Sequence, residues 1–350
     1  MIGLSGFMAA RKRGGTLSLS VSARAASNPD SGYGFWWGSF HPSTYYVAGG
    51  GNINDPNSGH KISVYSFTGG DTLTEAAYVS DTGSGHHSYG GCWSKNGNYL
   101  FAGLHDYTKA YSWNGSNTLT EVESLTTSSI GRVNWISSDS DSSFLAISGN
   151  SGIKILSWNG SDTLAEVESV ALTSVVGLAW SSDDSYLAVA SNTTNKQIII
   201  YSWNGSDTLT EVESIDTGVN GYGVCWDAGD DFLFATCHEA SVRVYSWNGS
   251  DTLTSVTTGS LTTGSTCTRN PLFYNNSLIA QEFHYGTTPT SSSIMRAFSW
   301  NGSNTLTSIS TVDSTTDGAM GTGWSSDHKY VGIGSGGDTT YALMVIKTGL

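Results

Sequence analysis

Short hydrophobic runs alternate with turns rich in Gly, Ser, Asn and Asp along the whole chain. In one unit, four such runs predict strands A, B, C and D at Gly177–Trp180, Tyr186–Ala190, Gln197–Trp203 and Leu209–Ser214. Asn204-Gly205 predicts a tight C–D hairpin turn, because Asn and Gly tolerate positive φ. Each unit is therefore predicted to be one four-stranded antiparallel sheet.

The unit repeats at a nearly constant period. The tract YSWNGSDTLTEVES, complete at Tyr201–Ser214, recurs in variant form, and its aromatic anchors lie 46, 45, 45, 44 and 53 residues apart. These anchors are Phe67, Trp113, Trp158, Trp203, Trp247 and Trp300. A period in this range is typical of a β-propeller, in which one repeat forms one blade. The predicted units are 33–81, 84–127, 129–172, 175–217, 219–261 and 265–314.

The two ends of the chain complement each other. A seventh unit begins at Gly318 and has strands A to C but no strand D, whereas Gly14–Ser22 has the pattern of a strand D without the other three. We predict an all-β, seven-bladed propeller of four-stranded antiparallel blades, closed by pairing of the N-terminal strand with the C-terminal blade. Residues 15–350 are predicted to be this single domain, and residues 1–14 a leader.

Composition narrows the function classes. The formal net charge of −14 argues against a nucleic-acid partner, because binding phosphates needs a clustered basic face. No apolar run is long enough to insert into a membrane, and Ile2–Ala10 is a poor secretory signal because its charges follow it. We expect a virion-associated or otherwise cytoplasmic protein. The four cysteines, Cys92, Cys225, Cys237 and Cys267, lack metal spacing and predict buried thiols, and no cofactor is expected.

Two stretches of the repeat resemble known propeller families. Ser182, Asp184 and Tyr186-Leu187 resemble the turn of WD40 and YVTN-type propellers, and Tyr201–Thr210 resembles a stretch of the seven-bladed lactonase family. The resemblance covers about residues 15–350 and implies the fold. Strand C ends in Ser-Trp-Asn-Gly instead of the WD40 Trp-Asp dipeptide, and no catalytic motif of these families is present, so the resemblance implies no activity.

The repeats differ most in their B–C and D–A loops, which we therefore predict to form the functional face. Candidate binding residues there are His60, His86, His87, His105, Asp106, His238, Glu239, His284 and Tyr285. Arg132, Asn134 and Arg269 are predicted to line the channel, where arginines bind an anionic ligand or take part in a hydrogen-bonded, water-filled pore. Phe7, Arg11, Lys12 and Arg13 make the leader either a docking segment or a disordered tail.

Three functions remain open from the sequence. The first is a non-enzymatic protein-interaction or adhesion scaffold, because the leader and the Gly/Ser/Thr-rich repeats resemble accessory proteins of phage particles. Its partner is expected to be a protein in a larger assembly or a cell-surface ligand. The second is a lactonase-like hydrolase, which requires His86, His105, His238 and Glu239 to converge on one water molecule. The third is a glycan-binding lectin using exposed rings of Tyr33, Trp36 or Tyr285.

Overall fold

Seven four-stranded antiparallel sheets make up the protein, as the repeat predicts. The computed structural model describes residues 18–26, 35–55, 58–70, 72–81, 88–238, 241–260, 267–284, 292–313, 322–334 and 341–350. In blades 1 to 6 the strand order in each sheet is the chain order A, B, C, D. The β-propeller with seven blades is thus confirmed.

The strands of blades 1 to 4 follow the predicted runs closely. Blade 1 contains β2 (Phe35–Phe40), β3 (Tyr46–Asp55), β4 (Ser58–Phe67) and β5 (Leu73–Asp81). Blade 2 contains β6 (Gly90–Trp93), β7 (Tyr99–Gly103), β8 (Tyr107–Trp113) and β9 (Leu119–Thr126). A 3-10 turn, Ser128–Ile130, precedes blade 3, which contains β10 (Val133–Ser138), β11 (Phe144–Gly149), β12 (Gly152–Trp158) and β13 (Leu164–Ala171). Blade 4 contains β14 (Val175–Trp180), β15 (Tyr186–Ser191), β16 (Ile198–Trp203) and β17 (Leu209–Ile215).

The remaining blades include the one that joins both chain ends. Blade 5 contains β18 (Gly221–Trp226), β19 (Phe232–Cys237), β20 (Ser241–Trp247) and β21 (Leu253–Ser260). Blade 6 contains β22 (Cys267–Tyr274), β23 (Ser277–His284), β24 (Ser292–Trp300) and β25 (Leu306–Asp313). Blade 7 contains β26 (Thr322–Trp324), β27 (Tyr330–Gly334) and β28 (Tyr341–Lys347), and β1 (Ser20–Ala26) supplies its outer strand.

Pairing of β1 with β28 closes the ring. Ser20 lies opposite Lys347 and Arg24 opposite Met344, with a register shift between Val21 and Ala23. The C–D pairing of each of the other six blades has a bulge at the same place, for example between Ile200 and Tyr201 in blade 4. This register gives Leu19 the position of Leu209. Within the described residues the closing strand therefore extends four residues beyond its predicted end at Ser22.

The hydrophobic core lies between neighbouring blades. At the closing seam, Ala23, Leu343 and Val345 of blade 7 pack against Phe35 and Phe67 of blade 1. An equivalent cluster joins strands B and C of blade 4 to the aromatic residues of blade 5. Burial of each blade thus depends on both of its neighbours, so the closing strand stabilises the whole ring.

Glutamates on the outer strands, predicted only to discourage edge pairing, also form defined contacts. Lys109 and Lys154 on strands C are buried and pair with Glu121 and Glu166 on strands D. In addition, the backbone N–H of Leu209 donates to Glu168 of the preceding blade at 3.3 Å. The outer carboxylates therefore neutralise buried lysines and link adjacent blades.

Two faces of the ring can now be distinguished. The A–B and C–D connections form one face, called the turn face, and the B–C and D–A connections form the opposite loop face. On the turn face, the side chain of Asn204 accepts backbone N–H groups of Ser206, Asp207 and Thr208, while Gly205 has φ +81°. Asn114, Asn159, Asn248 and Asn301 repeat this arrangement, which explains why the C–D turn is uniform in sequence.

Candidate functional site

An aromatic and cationic stack lies at the loop-face end of the channel. Trp36 of blade 1 packs against Tyr89, which precedes strand A of blade 2, with ring centroids 5.7 Å apart. Arg132, which precedes strand A of blade 3, places its guanidinium 4.3 Å from the centroid of the Tyr89 ring. Three blades thus contribute one residue each to this stack. Trp36 and Arg132 remain partly exposed, whereas Tyr89 is buried.

Asn134 fixes the position of Arg132. Its amide oxygen accepts the Arg132 Nε hydrogen at 2.9 Å, and its Nδ2 donates to the carbonyl of Val175 in blade 4 at 2.9 Å. Because Asn134 is only 3% exposed, its amide acts mainly as a structural bridge between blades 3 and 4. The channel prediction for Arg132 and Asn134 thus becomes a positioned cation at the loop-face mouth.

The described rim histidines lie in separate blades. His105 Nδ1 contacts its neighbour Asp106 at 3.0 Å in the B–C turn of blade 2, and both are exposed. His238, in the B–C turn of blade 5, packs against Tyr222 of its own blade, with centroids 6.3 Å apart. In the described ranges, no group of three or more His, Cys, Asp or Glu residues has an arrangement that could hold a metal ion.

Several predicted site residues fall outside what the structure describes. His86, His87, Glu239, Tyr285 and the leader residues Phe7, Arg11, Lys12 and Arg13 lie outside the described ranges. The backbones of β4, β22 and β23 include His60, Arg269 and His284, but the side chains of these three also lie outside. The functions assigned to these residues remain predictions.

The largest feature of the channel opens on the other side, at the turn face. A cavity of about 780 Å³ extends from the middle of strands A to the A–B turns, and all seven blades line it. Its wall contains one equivalent position per blade, the residue that ends strand A. Phe40, Trp93, Ser138, Trp180, Trp226, Phe273 and Trp324 occupy this position.

Register corrects the assignment of two tryptophans. Phe40 and Ser138 pair with strand B as Trp180 does, whereas Trp37 and Trp135 lie three residues earlier in their strands. The expectation that Trp36 or Trp37 fills this position in blade 1 is therefore wrong, as is the assignment of Trp135 to it in blade 3. Trp37 is instead fully buried, where the absent side chain of Gly91 makes room for its ring.

The strand-A tryptophans also connect blades. The indole N–H of Trp93 donates to the carbonyl of Ser39 at 3.1 Å, and those of Trp180 and Trp226 make the same bond to Ser137 and Ala179. Each of these bonds reaches the preceding blade. The wall of the cavity is therefore held rigidly by the same residues that line it.

Carboxylates dominate the charge of this cavity. Asp139, Asp184, Asp227 and Asp230 line it together with one lysine, Lys95. Burial raises the pKa of Asp139 to about 6 and also raises the pKa of Asp227. Desolvation lowers the pKa of His328, another lining residue, so its imidazole is neutral at pH 7.

The A–B aspartates do more than the turn chemistry predicted for them. Asp183 accepts the N–H of Ser185 within its own turn at 3.0 Å, as expected. Asp184 instead accepts the backbone N–H of Ser140 in blade 3 at 2.8 Å, and Asp230 accepts that of Ser182 in blade 4 at 2.8 Å. Sequence patterns within one turn contain no signal for these bonds, because the partners are more than forty residues apart.

The described cysteines behave as the sequence predicts. Cys92, Cys225 and Cys237 are free thiols, and burial raises the pKa of Cys92 to about 12 and that of Cys237 to about 11. A thiol with so high a pKa is not a nucleophile at neutral pH.

Together, the ring and its two mouths define a closed seven-bladed β-propeller, a fold that is consistent with a protein-interaction scaffold. No protein-family model matches the chain, and no curated protein matches it significantly. The fold thus stands on the coordinates, and no comparison extends it to the WD40, YVTN or lactonase families. In the part of the chain that the structure describes, no helix is long and apolar enough to cross a membrane.

Proposed function

We propose that the protein is a non-enzymatic scaffold that binds a protein partner through its loop face. The observation that supports this most directly is the stack of Trp36, Tyr89 and Arg132 at the loop-face mouth. Trp, Tyr and Arg are the residues most enriched among the hot spots of protein interfaces. In this protein they come from three blades of a rigid ring, so little conformational entropy is lost when a partner binds.

The finer part of the proposal concerns the setting of this scaffold. We infer a structural or host-contacting component of a virus particle, with adhesion to a cell-surface ligand as the related role. The support is the uniform Gly/Ser/Thr-rich repeat and its resemblance to accessory proteins of phage particles. The hydrolase alternative has less support, because the described contacts of His105 and His238 are each made within one blade.

The Arg132→Ala variant tests the proposal. We expect it to bind the partner about 30-fold more weakly than the wild type, which corresponds to loss of about 2 kcal/mol at an interface hot spot. The partner is identified by cross-linking the wild-type protein in its native source, and affinities are then measured by calorimetry. Recovery of the partner from purified virus particles supports the finer proposal, and its absence from them contradicts it.

Lys95→Ala is the matched control, because it removes one cation from the opposite mouth. It is expected to bind like the wild type. Equal affinity of Arg132→Ala and wild type, or equal losses in both variants, would show that the loop-face stack is not the binding anchor.

A further inference from the structure

The turn face is strongly acidic. Its described A–B and C–D turns contain two lysines, Lys95 and Lys329, and a much larger set of carboxylates. The aspartates are Asp139, Asp141, Asp162, Asp183, Asp184, Asp207, Asp227, Asp230, Asp231, Asp251 and Asp327. A low-dielectric cavity opening within a surface of one sign concentrates ligands of the opposite sign. The chemistry of this mouth therefore favours a cation.

Inside the mouth, two carboxylate oxygens lack a hydrogen-bond partner. Asp139 is only 5% exposed, and its Oδ2 accepts the N–H of Phe144 at 3.0 Å, while its buried Oδ1 has no partner. The Oδ1 of Asp230 is likewise buried without a partner. A buried carboxylate oxygen without a donor is costly, and a guanidinium or ammonium group supplies the missing hydrogen bond and the compensating charge.

The aromatic wall has a gap beside Asp139. Six blades end strand A with a Trp or Phe, but blade 3 ends it with Ser138. The smaller side chain leaves space next to the Asp139 carboxylate, between rings contributed by the neighbouring blades. Aromatic faces attract cations as well, so the mouth combines carboxylates and rings in the manner of a site for arginine or lysine side chains.

A basic segment of the chain starts next to this mouth. The backbone N–H of Ser18 donates to the carbonyl of Thr348 at 2.8 Å, and the Thr348 hydroxyl donates to the carbonyl of His328 at 2.9 Å. His328 lines the cavity. Two strand spacings amount to about 10 Å, so the chain preceding Ser18 leaves the ring on the turn face, about that far from the lining.

The distance along the chain is sufficient. Arg11, Lys12 and Arg13 precede Ser18 by five to seven residues, and an extended chain covers about 17–24 Å over that length. These three consecutive cations thus lie within reach of Asp139 and Asp230. Because they are tethered, their effective concentration at the mouth is on the order of millimolar, which favours this occupant over a free cation.

We propose that the turn-face mouth of the channel binds the protein's own Arg11–Arg13 segment, with Asp139, Asp227 and Asp230 as the carboxylates that receive its cations. The leader, predicted to dock onto another component, thus has an acceptor on its own ring. This inference goes beyond the proposed function, which uses the opposite face.

Limited trypsin digestion of the full chain tests the proposal. Trypsin cleaves after Arg11, Lys12 and Arg13, so loss of the leader is followed by intact mass over time. The free peptide of residues 1–17 supplies the unprotected rate. We expect cleavage in the full chain to be at least tenfold slower than in the peptide, at a rate independent of protein concentration. Cleavage as fast as in the peptide, or protection that rises with concentration, overturns the proposal.

Two double variants show whether protection comes from the cavity. Asp139→Ser with Asp227→Ser removes two lining carboxylates, and Ser94, Ser181 and Ser325 already occupy the equivalent position in other blades and cap the same turn. Asp162→Asn with Asp207→Asn removes two carboxylates from C–D turns, where Asn117 and Asn304 are the equivalents. Protection should be lost in the first variant and kept in the second. Equal rates in the two variants overturn the proposal.

A change in the leader itself supplies a measurement that leaves the propeller unaltered. Arg11→Ser, Lys12→Ser and Arg13→Ser together should expose the tryptophans of the mouth, Trp93, Trp180, Trp226 and Trp324. The fraction of tryptophan fluorescence quenched by acrylamide should therefore rise relative to the wild type. Unchanged quenching contradicts occupation of the mouth by this segment.

Discussion

A chain lacking residues 1–26 is expected to aggregate and to lose the cooperative thermal unfolding of the intact protein. Removal of β1 uncovers the edge of β28, whose residues Met344, Val345 and Ile346 are fully buried in the ring. It also removes Ala23 from the core at the closing seam. The expected loss is comparable to the net stability of a folded domain, about 5–15 kcal/mol. Calorimetry and size-exclusion chromatography measure it.

A chain lacking residues 1–17 is the matched control. It keeps Leu19 and all of β1, so it should unfold cooperatively at a temperature close to that of the full chain. If the chain lacking residues 1–26 also unfolds like the full protein, closure by the N-terminal strand is not what stabilises the ring.

Arg296→Ala is expected to be a strongly destabilising single substitution. Glu282 on β23 is fully buried and forms a short ion pair with Arg296 on β24, and Arg296 also donates to Ser308 at 3.1 Å. Loss of the guanidinium removes the cation that faces this buried carboxylate. We expect the free energy of unfolding to fall by about 3–5 kcal/mol in denaturant titrations, because breaking one side of a buried pair is strongly destabilising.

The double variant Glu282→Gln with Arg296→Gln distinguishes charge from packing. Removing both charges eliminates the uncompensated carboxylate, so the double variant should be more stable than Arg296→Ala. A loss below about 1 kcal/mol in Arg296→Ala would contradict the assignment of this pair as a buried charge pair that the fold requires.

The fold was predictable because its signals are local and repeated. Asn-Gly turns, such as Asn204-Gly205, mark every described C–D hairpin from blade 2 to blade 6, and the spacing of the strand-C aromatics gives the blade period. The unmatched strands at the two ends predicted closure for the same reason. The sequence could not place the closing strand accurately, because its register depends on a bulge beside Val21 and Ala23.

The candidate sites were only partly predictable. Arg132 was identified as a channel residue, but its contact with Tyr89 joins two blades and has no local signal. The turn-face mouth was missed because Asp139, Asp184 and Asp230 look like ordinary turn residues within each repeat. Their importance comes from the ring, which brings seven equivalent positions around one cavity.

Disulfide trapping tests the closed ring most directly. Ser20 and Lys347 are exposed and directly opposed on β1 and β28, so Ser20→Cys with Lys347→Cys should form a disulfide within one chain under mild oxidation. Ser20→Cys with Lys329→Cys should not, because β28 lies between those residues. Non-reducing electrophoresis and mass spectrometry detect the bond. A bond in the first pair alone is the predicted result, and its absence there, or bonding in both pairs, would contradict closure of the propeller by its N-terminal strand.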